Sequence, residues 1–355
     1  MKILYYSIEH DDLDHGGSVI RKRNLALLQK LAGEEDVYFY VCQNQKTLLS
    51  KGIKYLQALT GCEIGIDKEL IRKIKEYDYV FMDGTTLADF SIRMLQMGRV
   101  ISFFHNVEYD YWCQLLASQQ NIIKKVERWL YKQAIFVYER RITRYSDTLI
   151  TLNKRDSDRL KKLYGRESDL LLPTSMEDAY RENTLPAEDK EPYLLFIGSD
   201  FFGNTEGLFR FCENCMPKIN ASLIAAGLNM EKHEERFGSD KIHFYGYVDD
   251  LTELYQNAAA VVMPIISGSG MKTKTCEAMM YGKVIFGTQE SFEGYLLSED
   301  CILCEDDSAF IDKINAYLES GIRKFSPANR NVYLQNYESN IMAERFVKYF
   351  TGERE

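Results

Sequence analysis

The segment Ile265-Ile-Ser-Gly-Ser-Gly-Met-Lys-Thr-Lys-Thr-Cys-Glu-Ala-Met-Met-Tyr-Gly282 gathers residue types that together can hold an anion. Gly268 and Gly270 let backbone amides approach a ligand closely, because no Cβ stands in the way. The spacing predicts a helix from near Met271, whose unpaired N–H groups and positive dipole end point at that loop. Lys272 and Lys274 add formal positive charge, with Thr273 between them and Ser269 within the loop. Glu277 falls near the middle of the same helix, and a carboxylate beside an anion loop must serve something other than the anion.

The first half of the chain holds weaker candidates. Asp14-His-Gly-Gly-Ser-Val-Ile20 places Gly16 and Gly17 between the first strand and the first helix, where a glycine pair suits phosphate or sugar contact but equally a tight turn. Phe103-Phe-His-Asn-Val-Glu108 follows a strand and sets His105, Asn106 and Glu108 at its carboxyl edge. A lone histidine there reads first as a hydrogen-bonded structural residue, with an active-site role as the alternative. Asp83-Gly-Thr85, after the preceding strand, is a further candidate.

Short β-type runs alternate with helical patterns from end to end, and these elements must position the residues above. Lys2–Ser7, Val37–Cys42, Tyr79–Met82, Val100–Phe104 and Thr148–Leu152 read as strands, with helical spacing over Ser18–Leu31 and about 121–145. The polar stretch 176–192, with two prolines, is the best linker. The rhythm restarts with strands at Tyr193–Ile197, Ser222–Ala226, Ile242–Tyr245, Ala260–Pro264 and Val284–Gly287, and helical patterns at about 308–320 and 327–350 close the chain. This predicts an α/β protein of two doubly wound parallel sheets, with ligands expected in a cleft at the carboxyl ends of the strands. The expected division is 1–176, 193–326, and a terminal segment 327–355 that is a candidate to cross back onto the first domain.

Composition narrows the function classes. The chain has 355 residues, 45% of them apolar and 27% charged, which excludes a disordered chain or a disulfide-stapled mini-protein. No run approaches the ~18–20 apolar residues of a membrane span. Met1–Ser7 meets Glu9, Asp11 and Asp12 too soon for a signal peptide, so a cytoplasmic location is expected. The net charge of -9 divides into +4 over residues 1–175 and -13 over 176–355, and an acidic total argues against nucleic acid as a partner.

Two C-x-x-C pairs, Cys212/Cys215 and Cys301/Cys304, raise a four-thiolate zinc site, but the 85 residues between them far exceed the ~15–20 of a zinc ribbon. Buried reduced thiols are the expectation, with no metal site. The stretch Asn121–Tyr145 carries Lys124, Lys125, Arg128, Lys132, Arg140, Arg141 and Arg144 among Ile122, Ile123, Val126, Trp129 and Leu130. It reads either as a core-packed helix with a solvated basic face or as a basic amphipathic helix lying on an anionic membrane.

The segment 265–282, together with its preceding strand and Pro264, closely resembles the donor-binding motif of retaining GT-B glycosyltransferases, particularly glycosyltransferase family 4. The likeness extends to Leu194-Leu-Phe-Ile-Gly-Ser199 with Asn204, to His243-Phe-Tyr-Gly-Tyr247, to Asp249–Tyr255 and to Thr288–Gly294, covering about 193–295 in the family's order and spacing. The resemblance implies the GT-B fold, two Rossmann-like units. It implies transfer of a hexose or N-acetylhexosamine from a nucleotide diphosphate sugar to a hydroxyl acceptor, with retention of configuration. A glycan or lipid-linked glycan of a bacterial surface polysaccharide is the acceptor expected from family habit. It further implies Glu277 on the ribose hydroxyls, Tyr247 at the base, and Gly198, Asn204, Ser269, Gly270, Met271 and Thr273 around the donor. Lys272 and Lys274 meet the diphosphate, His105 serves the sugar or acceptor, Gly17 lies near the donor phosphates, and Gly16, Asp83, Asn106 and Glu108 are on the acceptor side.

One position departs from the family: many members carry a second glutamate where this chain has Ser269. The triplets Asp12-Leu-Asp14 and Asp156-Ser-Asp158 would hold a divalent metal in the other main glycosyltransferase fold. Here they fall in a polar loop and a helical pattern, so both are expected to be solvated acids and catalysis metal-independent, with no cofactor besides the nucleotide-sugar co-substrate. A nucleotide-sugar 2-epimerase of the same fold and a catalytically silent nucleotide-sugar-binding protein are the rival readings. Gly198-Ser-Asp-Phe-Phe-Gly203 is not a G-x-G-x-x-G fingerprint, which disfavours a dehydrogenase.

Overall fold

In the computed structural model, strands form where apolar residues run without a break, because parallel strands are buried on both faces. The structure describes residues 1–8, 16–42, 48–60, 71–72, 74–85, 95–96, 99–117, 119–181, 193–268, 270–321 and 325–352. Ser269, the Asp12–Asp14 triplet and most of the polar stretch 176–192 lie outside these residues.

The chain forms two units: Met1–Pro173 with Ala343–Glu355, and Thr174–Met342. The first contains β1 (Ile3–Ile8), α1 (Gly16–Ala32), β2 (Val37–Cys42), α2 (Leu48–Thr60), β3 (Tyr79–Asp83), β4 (Val100–Phe104), α3 (Glu108–Ala117), α4 (Ile122–Tyr145), β5 (Thr148–Thr151), α5 (Lys154–Tyr164) and β6 (Leu170–Leu171). Its six strands lie in the order β2-β1-β3-β4-β5-β6, all parallel. One sheet face packs Leu4, Tyr6, Val80, Met82, Val100 and Phe104 against Ala134, Ile135, Tyr138 and Ile142 of α4. On the other, Tyr5 stacks on Phe81 at 6.0 Å and Phe81 on Phe103 at 6.2 Å.

The second unit contains β7 (Tyr193–Ile197), α6 (Phe202–Asn214), β8 (Ser222–Ala226), β9 (Ile242–Tyr245), α7 (Thr252–Asn257), β10 (Ala260–Met263), α8 (Thr273–Met280), β11 (Ile285–Gly287), β12 (Cys301–Leu303), α9 (Asp307–Glu319) and α10 (Pro327–Asn336). Its strands are again parallel, in the order β12-β11-β10-β7-β8-β9. The last helix, α11 (Ser339–Thr351), begins in this unit, while its residues from Ala343 pack with the first, where Phe350 meets the Tyr79 ring edge-on at 6.0 Å.

The helix expected over 327–350 is interrupted. Tyr337 leaves helical geometry at φ -132°, because its carbonyl accepts from Met176 N–H (3.2 Å) and its buried hydroxyl accepts from Leu296 N–H (2.6 Å). Glu338 then accepts from Asn340 N–H at 2.8 Å and restarts the helix.

The basic helix is exposed over its amino-terminal half and packed into the core over the other. Asn121 caps it by accepting from Lys124 N–H at 3.1 Å. Ile122 and Ile123 are 77% and 80% exposed and Trp129 is about half exposed, whereas Ala134, Ile135, Tyr138, Glu139 and Ile142 are buried. Arg141 is not on a solvated face: its guanidinium donates to the carbonyls of Gln57 (3.2 Å), Ala58 and Leu59 (2.7 Å), closing the carboxyl end of α2.

Candidate functional site

The donor-like motif stands at the carboxyl end of β10, a strand with all four residues buried. Pro264 ends the strand, and α6 approaches so closely that a Cβ on Gly207 would lie 1.7 Å from the Pro264 carbonyl oxygen. Gly268 and Gly270 take φ +143° and +66°, a region that side chains with a Cβ avoid. The helix α8 starts at Thr273, two residues later than the spacing predicts, with Lys272 extended before it at φ -87°, ψ 109°. Met271 is buried and Thr273 half-buried.

The two lysines have different partners. Lys272 Nζ pairs with Glu290 at 2.7 Å and donates to the Gly270 carbonyl at 3.0 Å, so its charge is balanced inside the protein. Lys274 Nζ donates to the neutral Asn204 Oδ1 at 2.6 Å and lies 4.6 Å from the centre of the Phe196 ring. Asn204 donates from Nδ2 to the Ser199 carbonyl at 3.0 Å, which fixes its amide so that the oxygen faces the lysine. A Cβ on Gly198 would stand 2.7 Å from Nζ, so this approach needs glycine there. Burial pushes the Lys274 ammonium down to about 7, Lys272 adds to that, and Glu277 opposes both.

Glu277, one turn further along α8, accepts a hydrogen bond from the Tyr255 hydroxyl at 2.8 Å. Tyr255 is fully buried and stacks on Tyr281 at 4.5 Å with the rings 10° apart; the Tyr281 hydroxyl in turn meets Thr252 Oγ1 at 3.1 Å. Burial raises the Glu277 carboxyl above its usual range, against the Tyr255 hydrogen bond and the Lys274 charge. Tyr247, just beyond β9, is about half exposed.

In the first unit, Gly16 and Gly17 are the first residues of α1. Asp83 is the last residue of β3 and pairs in register with Phe103 of β4, so His105 stands two residues beyond that register point. His105 Nε2 meets Asp83 Oδ1 at 2.7 Å. The same carboxylate accepts from Asn24 Nδ2 at 2.8 Å and from the Tyr5 hydroxyl. Burial alone would raise Asp83, but the adjoining His105 and these three hydrogen bonds hold its carboxyl below the ordinary range. With Asp83 ionised, the His105 Nε2–H donates to it. The Phe103 ring meets His105 edge-on at 5.2 Å. Gly84 (φ +101°) keeps its bend beside the imidazole, 3.5 Å from where its Cβ would be.

His105 is thus hydrogen-bonded as a structural histidine would be, yet its side chain remains 19% exposed at the sheet's carboxyl edge. Asn106 and Glu108 follow it, half-buried, and burial pushes the Glu108 carboxyl up to about 7. Tyr5, Asn24, Tyr255 and Glu290 complete these clusters although the sequence assigned them no part in them.

One expectation is corrected. Asp156 is not a solvated acid: it is buried in the first turn of α5, where its N–H donates to Asn153 Oδ1 at 2.8 Å and its Oδ2 accepts from Asn153 Nδ2 at 3.2 Å. Asp158, two residues on, turns to another face and pairs with Lys154 at 2.5 Å. The thiols of Cys212, Cys215, Cys301 and Cys304 are buried, and burial pushes each up to about 12. Among the described residues no three side chains are grouped as metal ligands, and no helix is long and apolar enough to cross a membrane.

Residues 191–320 match the family model of Glycosyl transferases group 1. An uncharacterized 44.6 kDa protein in the cps region of Klebsiella pneumoniae is 22% identical over 301 residues, covering 78% of this chain and 75% of that protein. Among solved structures, Anabaena Alr3699/HepE in complex with UDP and glucose superposes with a TM-score of 0.67 at 11% identity, over 99% of this chain and 100% of that one. WaaG, a glycosyltransferase involved in lipopolysaccharide biosynthesis, does so with a TM-score of 0.60 at 15% identity, over 99% and 96%. The fold is therefore that of the GT-B glycosyltransferases, with a glycosyl transferases group 1 domain in its second unit.

Proposed function

We propose that the protein is a retaining glycosyltransferase that moves a hexose or N-acetylhexosamine from a nucleotide diphosphate sugar to a hydroxyl acceptor. The observation that carries this is the pairing of Lys274 with a neutral amide and an aromatic face, one helical turn from Glu277. A part-buried cation so placed still has its charge to offer to a diphosphate, and Glu277 can accept from vicinal ribose hydroxyls. Gly198, Asn204, Tyr247, Gly270, Met271 and Thr273 line the donor. Lys272 steers more than it binds, because Glu290 already balances it. Alr3699/HepE, whose structures hold UDP and UDP-glucose, supports a uridine nucleotide as the first donor to try.

Retention needs no protein nucleophile: the departing phosphate oxygen can take the acceptor's proton on the face where the new bond forms. Catalysis then consists of positioning and of stabilising charge on the leaving diphosphate. His105 orients the sugar or the acceptor, with Asp83 fixing its ring; Gly17 serves the donor phosphates, and Gly16, Asn106 and Glu108 the acceptor side. The donor is a co-substrate; the lysines supply the positive charge that a metal ion supplies elsewhere. WaaG, with its part in lipopolysaccharide biosynthesis, supports a glycan or lipid-linked glycan of a bacterial surface polysaccharide as acceptor. The exposed amino-terminal half of α4, with Ile122, Ile123 and Trp129 beside Lys124, Lys125 and Arg128, is read as a peripheral contact with the cytoplasmic face of an anionic membrane. Co-sedimentation with anionic liposomes tests that contact, and no binding at low salt removes it.

The central test is thermal unfolding with a panel of nucleoside diphosphates and their sugars, on the wild type and Glu277→Ala. At a hundredfold excess over Kd one nucleotide should add about 2.7 kcal/mol of stability, an effect lost in the variant. No shift from any nucleotide overturns the reading. A sugar isomer formed without an acceptor would identify an epimerase instead, and binding without turnover a silent binder.

A further inference from the structure

Glu139 lies on the buried half of α4 with none of its surface exposed. Its Oε1 accepts from the Glu108 N–H at 2.9 Å and the Thr85 hydroxyl at 3.2 Å. Its Oε2 accepts from the Tyr109 N–H at 3.2 Å and the Tyr164 hydroxyl at 2.8 Å. Thr85 is two residues after Asp83, and Glu108 is three after His105. One carboxylate therefore grips both loops that carry the Asp83–His105 hydrogen bond, and ties them to α4 and α5.

The atoms that hold it make the choice of residue strict. Each carboxyl oxygen takes one backbone N–H, which can only donate. Burial, with Glu108 close by, pushes Glu139 up to about 8, so it takes up a proton readily. A protonated carboxyl keeps both backbone bonds, because its hydroxyl oxygen still accepts while the proton turns to the Thr85 or Tyr164 hydroxyl. Glutamine has the same shape but no such freedom: either way round, its NH2 faces one of the two backbone N–H groups.

We infer that Glu139 is a positioning residue for His105: it sets the loops after β3 and β4 so that the imidazole keeps its bond to Asp83, without itself touching donor or acceptor. The consequence for turnover rests on the proposed role of His105; the consequence for the ring does not.

The test uses the full chain labelled with 15N-histidine, whose five histidines give a simple imidazole spectrum; His105→Ala assigns the His105 signals. In Glu139→Gln the Nε2–H signal of His105 should shift or broaden through a weakened bond to Asp83. UDP release from UDP-glucose should fall about 10- to 100-fold in kcat, with KM for UDP-glucose unchanged. Tyr164→Phe, which removes one donor and no backbone bond, should stay near wild type in both. A folded Glu139→Gln whose His105 signals match the wild type overturns the inference. Should that variant fail to unfold cooperatively, Thr85→Val takes its place: it loosens the Asp83 loop alone, and unmoved His105 signals there overturn the inference equally. If His105→Ala releases UDP as fast as the wild type, the role given to His105 fails, while its signals in Glu139→Gln still decide the role of Glu139.

Discussion

The carboxyl ends of the two sheets hold titratable side chains in different ways. In the second unit Lys274 rests on a neutral amide and a ring face, and Glu277 on a phenol, so each is hydrogen-bonded by a neutral group. In the first, Asp83 is enclosed by His105, Asn24 and Tyr5, and Glu139 receives four donors. A group held by a single neutral hydrogen-bond partner keeps more of its bonding capacity for a ligand, whereas one that receives three or four hydrogen bonds mainly fixes geometry. On the proposed function, one sheet end attracts charge and the other orients a ring.

That contrast can be broken most sharply at His105. His105→Ala should cut transfer about 10²-fold and leave nucleotide-induced thermal stabilisation as in the wild type; a loss of nucleotide binding would show that the two ends do not divide the work. Next comes Lys274→Met, which should weaken UDP binding by about 1.5–3 kcal/mol, the range of a hydrogen bond to a charged group. The sign of its pH dependence follows from burial. Above about 7 the ligand-free lysine is neutral, and a diphosphate restores its proton, so calorimetry at pH 8 should find proton uptake on binding that Lys274→Met lacks. Without ligand, the unfolded chain keeps that proton from pH 7 up to the ordinary lysine range, so this group makes stability rise with pH across that window.

Asp83→Asn probes the orienting end. Asp83 is held below its ordinary range, so its contribution is present at neutral pH and is lost as acid protonates it in the folded state. The variant should lose about 2 kcal/mol at pH 7 and show a flatter acid limb in denaturant titrations, with UDP affinity unchanged. The smallest effect is expected from Tyr255→Phe, which deletes one phenol donor to Glu277. About 1 kcal/mol, or roughly fivefold in UDP affinity, is the expected loss, and none in the His105 signals.

The attracting end was readable because its strand, glycine loop, lysines and Glu277 are contiguous from 260 to 282. What escaped there is what completes it from elsewhere in the chain: Glu290, which balances Lys272, and Tyr255, which steadies Glu277. At the orienting end His105 and Asp83 each stood out, but their bond depends on β3 lying beside β4, a matter of strand order. Tyr5 and Asn24 read as core strand and amphipathic helix, and Glu139 falls in the stretch Asn121–Tyr145, which stands out for its basic residues, since periodicity records which face a residue occupies and not what it meets across the fold. Asp156 escaped because a helix-capping pair with Asn153 and a solvated acid have the same residue types.

The first unit is discontinuous: its sheet is complete by Leu171, yet it also includes residues from Ala343 onward. On the ribosome, all of Thr174–Met342 must be made before that piece exists, on the order of ten to thirty seconds at bacterial and eukaryotic elongation rates. Through that interval the Tyr79 ring lacks its Phe350 neighbour. The unit synthesised first is thus the last to be finished.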